Sequence, residues 1–426
     1  MYRASKTAQK NPRGSILTDI GTIHEGSRYR IKDLEKAKIF EAVIRTPGIT
    51  RNLIGKDLSI RPTSVSHAVN ELSADGLVEE FRDSSEPKQG RPEIKLFPAK
   101  NRYLAISVYA ASRTLHAVLV NAFEEILATA ETHIDPEINN EKFLRKLSLA
   151  AAELKSRAPE GTELLGASLS IPGFMDTDKR VWIFTARWPY LRNLPFRKIE
   201  KAIDSPLYLS RVLDSALEYT IASDKNLQNT DTLLVHWGYG IGAAYANAGK
   251  VLSSNIGGVC EVGHWKVQSG NSAPCTCGSS GCLETVSSLR ILFPILHREY
   301  PDLPEEENLF LEYAQNTSRI AEHPSIRKAT DEMGRAIGTL FITLFPKNLL
   351  IYGALPSLPG IRRELLVSIK RNIPGFAQAF LSVRFLAKGQ QAELFGSARP
   401  LFREAYRRGL TAGMHARHTE DIPRSR

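Results

Sequence analysis

Glu261-Val-Gly-His264-Trp265, followed after nine residues by Cys275-Thr-Cys277-Gly-Ser-Ser-Gly-Cys282-Leu-Glu284, sets the reading of the whole chain. It holds one histidine and three of the four cysteines. Thiolates and an imidazole gathered this closely suit a tetrahedral zinc ion with all four positions filled by protein, the structural rather than the catalytic arrangement. The alternatives are buried cysteines acting as small apolar residues, or a disulfide pair. Three cysteines within eight residues weigh against both. Cys260, outside the spacing, reads as a bystander.

Outward from this stretch, 426 residues exceed one ordinary domain, and 42% hydrophobic with 24% charged residues is typical of a soluble globular protein. Two or three domains are expected. No window approaches eighteen consecutive apolar residues, and the opening Met-Tyr-Arg-Ala-Ser-Lys-Thr-Ala-Gln-Lys is polar and basic, so a cytoplasmic location without membrane association is expected. A formal charge of +10 and a pI near 9.3 point to a partner rich in phosphates, although a generally basic solvated surface would give the same figures.

Residues 1–30 lack apolar periodicity and read as a flexible basic arm. From Leu34 the pattern turns helical through Ile39, Phe40, Val43 and Ile44, and Pro47-Gly48 ends it. Thr50 suits the N-cap of a short second helix. Pro62 opens a third, whose inner face is Val65, Ala68, Val69 and Leu72. Strands at 77–81 and 93–97 flank a polar turn and Gly90-Arg91-Pro92, so residues 31–98 read as a winged helix-turn-helix. Its third helix suits the major groove of double-stranded DNA. Arg61, Thr63, Ser64, Ser66, His67 and Asn70 are placed to reach base edges or phosphates, and Lys88 and Arg91 of the wing to position the protein on the backbone. The competing reading is a small helical domain used for protein contacts.

Residues 99–413 alternate strands and helices twice over. Strands are expected at 103–108, 114–120, 124–130 and 164–171 around a helix bearing Phe143, Leu147, Ala151 and Leu154; then at 232–236 and 349–352 around a long helix over 326–345. Residues 414–426 read as a flexible tail.

The spacing His-x10-Cys-x-Cys-x4-Cys, with Glu261 three residues before the histidine and Glu284 two after the last cysteine, resembles the zinc and sugar-binding signature of the ROK family of repressors, open reading frames and sugar kinases. The Gly-Arg-Pro wing is similar to that of ROK repressors. The resemblance implies an α/β fold: an N-terminal winged helix-turn-helix followed by a two-lobed actin-like, hexokinase-like ATPase fold. It also implies that Glu261, His264 and Glu284 face the hydroxyls of a sugar, with His264, Cys275, Cys277 and Cys282 on zinc.

Two departures bear on chemistry. Kinases of this fold carry an early Asp-x-Gly-x-Thr turn, and here the matching residues read Ser107-Val-Tyr109-Ala-Ala111, so that a carboxylate has become a hydroxyl and a tyrosine is expected to obstruct the phosphate position. The catalytic base belongs to an Asn-Asp pair that reads Arg211-Val212 here, and valine accepts no proton. Asp214, two residues on, is expected to point elsewhere. Gly238, Gly240 and Gly242 match the family's later phosphate turn and Gly353 its adenosine-side turn, both read as inherited scaffold. Arg187 and Arg211 stand where family sugar contacts have changed. They either select an anionic sugar phosphate or sugar acid by bidentate pairing, or simply face solvent and pair with surface acids.

The expectation is therefore a non-enzymatic, sugar-responsive DNA-binding regulator, acting as a homodimer or tetramer on an operator, with a sugar or sugar phosphate as effector. An ATP-dependent sugar kinase with an accessory DNA-binding head is the alternative, and a sensor that recruits a transport protein is a third reading.

Overall fold

The structure is a computed structural model and describes residues 31–82, 93–111, 113–254, 256, 259–267, 273–317, 319–387 and 389–410. The expected basic arm, the C-terminal tail, Lys88 and Arg91 lie outside these residues.

The N-terminal unit is built from α1 (Ile31–Arg45), β1 (Ile49–Thr50), α2 (Arg51–Leu58), α3 (Pro62–Ala74), β2 (Val78–Arg82) and β3 (Ile94–Pro98). Thr50 caps α2 by accepting the Leu53 amide at 3.5 Å, and Pro62 takes the first turn of α3, where its missing N–H costs nothing. The inner stripe of α3, Val65, Ala68, Val69 and Leu72, is buried against Phe40 and Ile44 of α1. β1, too short to be read in the sequence, pairs with β3 and completes a three-stranded sheet in the order β1-β3-β2.

The first lobe follows: β4 (Tyr103–Ala111), β5 (Thr114–Asn121), β6 (Ile126–His133), α4 (Asn140–Ser156), β7 (Glu163–Ile171), a small sheet of β8 (Phe174–Asp176), β9 (Val181–Phe184) and β10 (Arg192–Pro195), then α5 (Phe196–Ile203), β11 (Leu207–Arg211) and α6 (Val212–Ser223). β6 starts two residues later than expected because Asn121 Oδ1 accepts the amides of Phe123 and Glu125, which holds 121–125 as a turn with Glu124 at φ 61°.

The second lobe comprises β12 (Thr232–Trp237), β13 (Ile241–Asn247), β14 (Lys250–Val251), α7 (Glu284–Ser287), α8 (Leu289–Leu296), α9 (Glu307–Asn316), α10 (Pro324–Leu344), β15 (Asn348–Tyr352), α11 (Pro359–Arg371) and β16 (Val383–Phe385). The last helix is α12 (Gly389–Leu410).

The two five-stranded sheets share one topology. The first runs β11-β7-β4-β5-β6 and the second β14-β13-β12-β15-β16, each an antiparallel meander whose first strand also begins a parallel run. A core of Phe143, Leu147, Trp182 and Trp188 covers one face of the first sheet, and α12 covers the other. Side chains of α6, both β12 and β15, and Ala392 of α12 share a further core between the lobes, so the helices that touch both sheets mark the hinge. There α12 crosses α6 closely enough that a Cβ on Gly396 would strike the Ser215 backbone. No helix among the described residues is long and apolar enough to cross a membrane.

Candidate ligand cleft and DNA-binding surface

Between the lobes lies a cavity of about 390 Å³, within the range of small-molecule sites. One wall is the quoted stretch. His264 ends a short 3-10 turn, Val262–His264, and its Nδ1 lies 3.7 Å from Cys275 Sγ, while Cys277 Sγ and Cys282 Sγ are 3.8 Å apart. One ligand atom from each of the four residues falls within 4.8 Å of all the others. Zinc–sulfur bonds of about 2.3 Å in a tetrahedron separate sulfurs by about 3.8 Å, so the donor set fits a closed metal site. Lys266 Nζ lies 3.8 Å from Cys282 Sγ, a cation beside the cysteine sulfurs. Cys260 is buried and apart from the cluster; burial pushes its thiol up to about 11.

His264 links this cluster to the cavity, which it lines, and its ring tilts against Phe174 at 5.8 Å. Glu261 and Glu284 line the same wall. Glu284 opens α7, and its Oε1 accepts the Ile241 amide at 3.2 Å. Its Oε2 and Arg290 Nη2 face each other at 3.6 Å, and both are buried with no hydrogen-bond partner among the described residues. Buried polar atoms in that state are costly unless a further group satisfies them.

The two arginines singled out above have different surroundings. Arg211 donates to Asp214 Oδ1 at 2.9 Å and to Glu261 Oε1 at 3.0 Å, so two carboxylates take up its charge. Arg187 lies over the Tyr239 ring, 5.0 Å from its centroid. Asp214 is tied to Arg211 and is absent from the cavity lining; burial pushes its carboxyl up and Arg211 offsets this only in part. Val212, first residue of α6, does line the cavity.

The Ser107–Ala111 segment corrects the sequence reading. It is not a turn but the continuous end of β4. Strand alternation sends Ser107 away from the cavity to α12, where its Oγ donates to Leu394 O at 2.9 Å and lies 3.1 Å from Ser397 Oγ. Tyr109 does not block the cleft; it stacks on His116 with centroids 4.9 Å apart, and Ala110 is the residue of this segment found in the cavity lining among the described side chains.

At the other end of the cavity stand groups the sequence reading missed. Tyr352 donates to Glu393 Oε1 at 2.9 Å, the His236 ring lies 4.8 Å from Tyr352, and Glu307 accepts the Tyr239 amide at 2.5 Å. Burial, with Glu307 nearby, pushes the Glu393 carboxyl up to about 7 despite the Tyr352 hydrogen bond, and burial holds His236 below its usual range. An acidic run directly after Pro304 was the available signal for Glu307.

On the N-terminal unit, Arg61, Thr63, Ser66, His67 and Asn70 are exposed along one side of α3 and Ser64 is half-buried. His67 Nδ1 lies 3.2 Å from Glu71 Oε1. Arg51, which the sequence reading passed over, opens α2 beside this face, donating to Asn70 Oδ1 at 3.2 Å and to Glu80 Oε1 at 2.7 Å.

The chain thus joins a helix-turn-helix unit to a two-lobed, duplicated α/β body whose cleft wall carries a His/Cys cluster. The ROK family model matches residues 106–402, and the chain belongs to the ROK family. Among its relatives, the xylose repressor of Caldicellulosiruptor bescii is 22% identical over 362 residues, spanning 82% of this chain and 89% of that protein. The fold is similar to a ROK family transcriptional regulator homologous to the E. coli MLC protein (TM-score 0.62, 20% identity, 89% of this chain and 98% of that one). It is also similar to a ROK family glucokinase from Streptomyces griseus in complex with glucose and AMPPNP (TM-score 0.57, 20% identity, 69% of this chain and 98% of that one).

Proposed function

We propose that this chain is a sugar-responsive transcriptional repressor whose α3 face reads an operator and whose cleft binds a carbohydrate without phosphorylating it. The observation that carries this reading is the course of α12. Its first turns reach the cavity through Gln391 and Glu393, and its last turns enter the core of the N-terminal unit, where Tyr406 packs on Phe40 at 5.6 Å and on Tyr103 at 5.2 Å. A ligand that prefers one arrangement of the lobes would therefore displace the DNA-reading unit through a continuous helix.

Glu261, His264 and Glu284 are the proposed sugar contacts. The unsatisfied Glu284 Oε2 and Arg290 Nη2 are the acceptor and donor that a ligand hydroxyl would satisfy. Because Arg211 is already paired with two acids, a neutral sugar suits the cleft better than a sugar phosphate. His264, Cys275, Cys277 and Cys282 would hold zinc, which supplies rigidity to that wall rather than a reactive centre. Val212 in place of a proton acceptor speaks against the kinase alternative. Repressor relatives favour a DNA operator as partner, and a homodimer would place two α3 faces on a palindromic site.

Fluorescence anisotropy with fragments of the host genome tests the reading. Specific, salt-sensitive binding that one neutral sugar relieves is expected; binding no tighter than to random DNA, or steady turnover of ATP on any sugar, refutes it.

A further inference from the structure

The residues Glu305, Glu306 and Glu307 join the two lobes. Glu305 Oε2 pairs with Arg113 Nη2 at 3.1 Å, and Glu306 Oε1 accepts from Thr114 Oγ1 at 3.1 Å, both across the cleft to the first lobe. Glu307 turns back onto its own lobe, where Oε1 accepts the Tyr239 amide at 2.5 Å within the Gly238–Gly242 turn. The fit there is so close that a Cβ on Gly238 would collide with the Glu307 carboxylate. His236 Nε2 lies 4.0 Å from the same oxygen. Burial works against the Arg113 charge, and Tyr239, Glu305 and Glu306 more than restore it.

A backbone amide in a glycine turn, with a guanidinium opposite, offers elements of a phosphate-binding cradle, because an amide dipole and a planar cation both favour an oxyanion. Here an oxyanion is already present and covalently part of the chain. We propose that the Glu305–Glu307 run is a resident anion that occupies a polyphosphate-binding position between Arg113 and the Tyr239 amide, so that this end of the cleft is closed to nucleotide phosphates while the two lobes are latched together. An incoming phosphate must displace carboxylates held at high local concentration, and it meets their repulsion until it does. The exclusion is a property of charge at these three positions, independent of whether the chain binds DNA.

Calorimetry with the full chain at low salt tests this, using inorganic tripolyphosphate, Mg-ATP and adenosine as titrants. In the variant Glu305→Gln/Glu306→Gln/Glu307→Gln, shape is kept and Arg113 is left without its acids. Tripolyphosphate and Mg-ATP are expected to bind this variant at least about tenfold more tightly than wild type, with no gain for adenosine. Wild type binding tripolyphosphate as tightly as the variant overturns the proposal, as does a variant that melts like wild type yet gains nothing. An equal gain for adenosine overturns it too, since the run would then fill space rather than supply charge. Should the triple variant not fold, Glu307→Ala alone, which removes the acceptor, is followed by amide hydrogen exchange: exchange at Tyr239 faster by about tenfold or more is expected, and unchanged exchange removes the proposed contact.

Discussion

Glu393 shows how one buried group ties the cleft to acidity. It accepts from Tyr352, and Glu307 and Arg187 are the charged groups that face it. Its carboxyl is pushed from 4.5 up to about 7, so the folded chain holds a proton there that the unfolded chain has released. Stability from this group is complete below the unfolded value and is lost as pH rises through the folded one, by at most about 3 kcal/mol. Glu393→Gln keeps a neutral partner for Tyr352 and removes the titration. Melting temperatures of variant and wild type should coincide near pH 5, with the variant higher by several degrees at pH 8; equal differences at both pH values would show that the folded Glu393 carboxyl is not raised above its unfolded value.

Among elements, the thiol-braced wall and α3 make separable predictions. Cys282→Ser removes one of four donors, and if the cluster holds zinc this should abolish stoichiometric metal and lower the melting temperature markedly, because binding energy at such a site is folding energy. Metal analysis alongside calorimetric melting checks both. Arg61→Ala removes an exposed cation at the start of α3. Specific DNA affinity should fall and the slope of log affinity against log salt should flatten by about one unit, as for one lost phosphate contact.

Much of this level was legible in the sequence, and for physical reasons. Helical periodicity at Phe40–Ile44 and Val65–Leu72, a capping threonine and an N1 proline leave few conformations open, and metal-ligand spacing is local in the chain. What was not legible depends on side-chain direction and on distant partners. The sequence matched Ser107 and Tyr109 to a motif position but could not say that the strand continues and turns both away from the cavity. Nor could it bring Glu307 to Tyr239, 68 positions away. The pairing of Arg211 with Glu261, which together with the local Asp214 pair lowers its value as an anion receptor, is likewise a tertiary fact.

At the scale of the whole molecule, α12 bears on every part: the cavity, the hinge and the N-terminal unit. Tyr406→Ala would empty the space between Phe40 and Tyr103, with a cost of roughly 3–5 kcal/mol expected for a buried aromatic. Its informative effect is on coupling. Calorimetric affinity for the effector sugar should change little, while release of DNA by that sugar should weaken at least about tenfold. Loss of both affinities together would mean that the helix stabilises the molecule without carrying a signal.

The seating of Tyr406, Phe402 and Leu410 among residues of α1 and α3 also has a bearing on how the protein is made. The N-terminal unit proposed to read the operator leaves the ribosome long before the helix that completes its interior, so newly begun chains carry that unit unfinished. Fragments cut short by premature termination would then compete poorly for operator sites, and the cell's occupied promoters would report only molecules whose synthesis had run to α12.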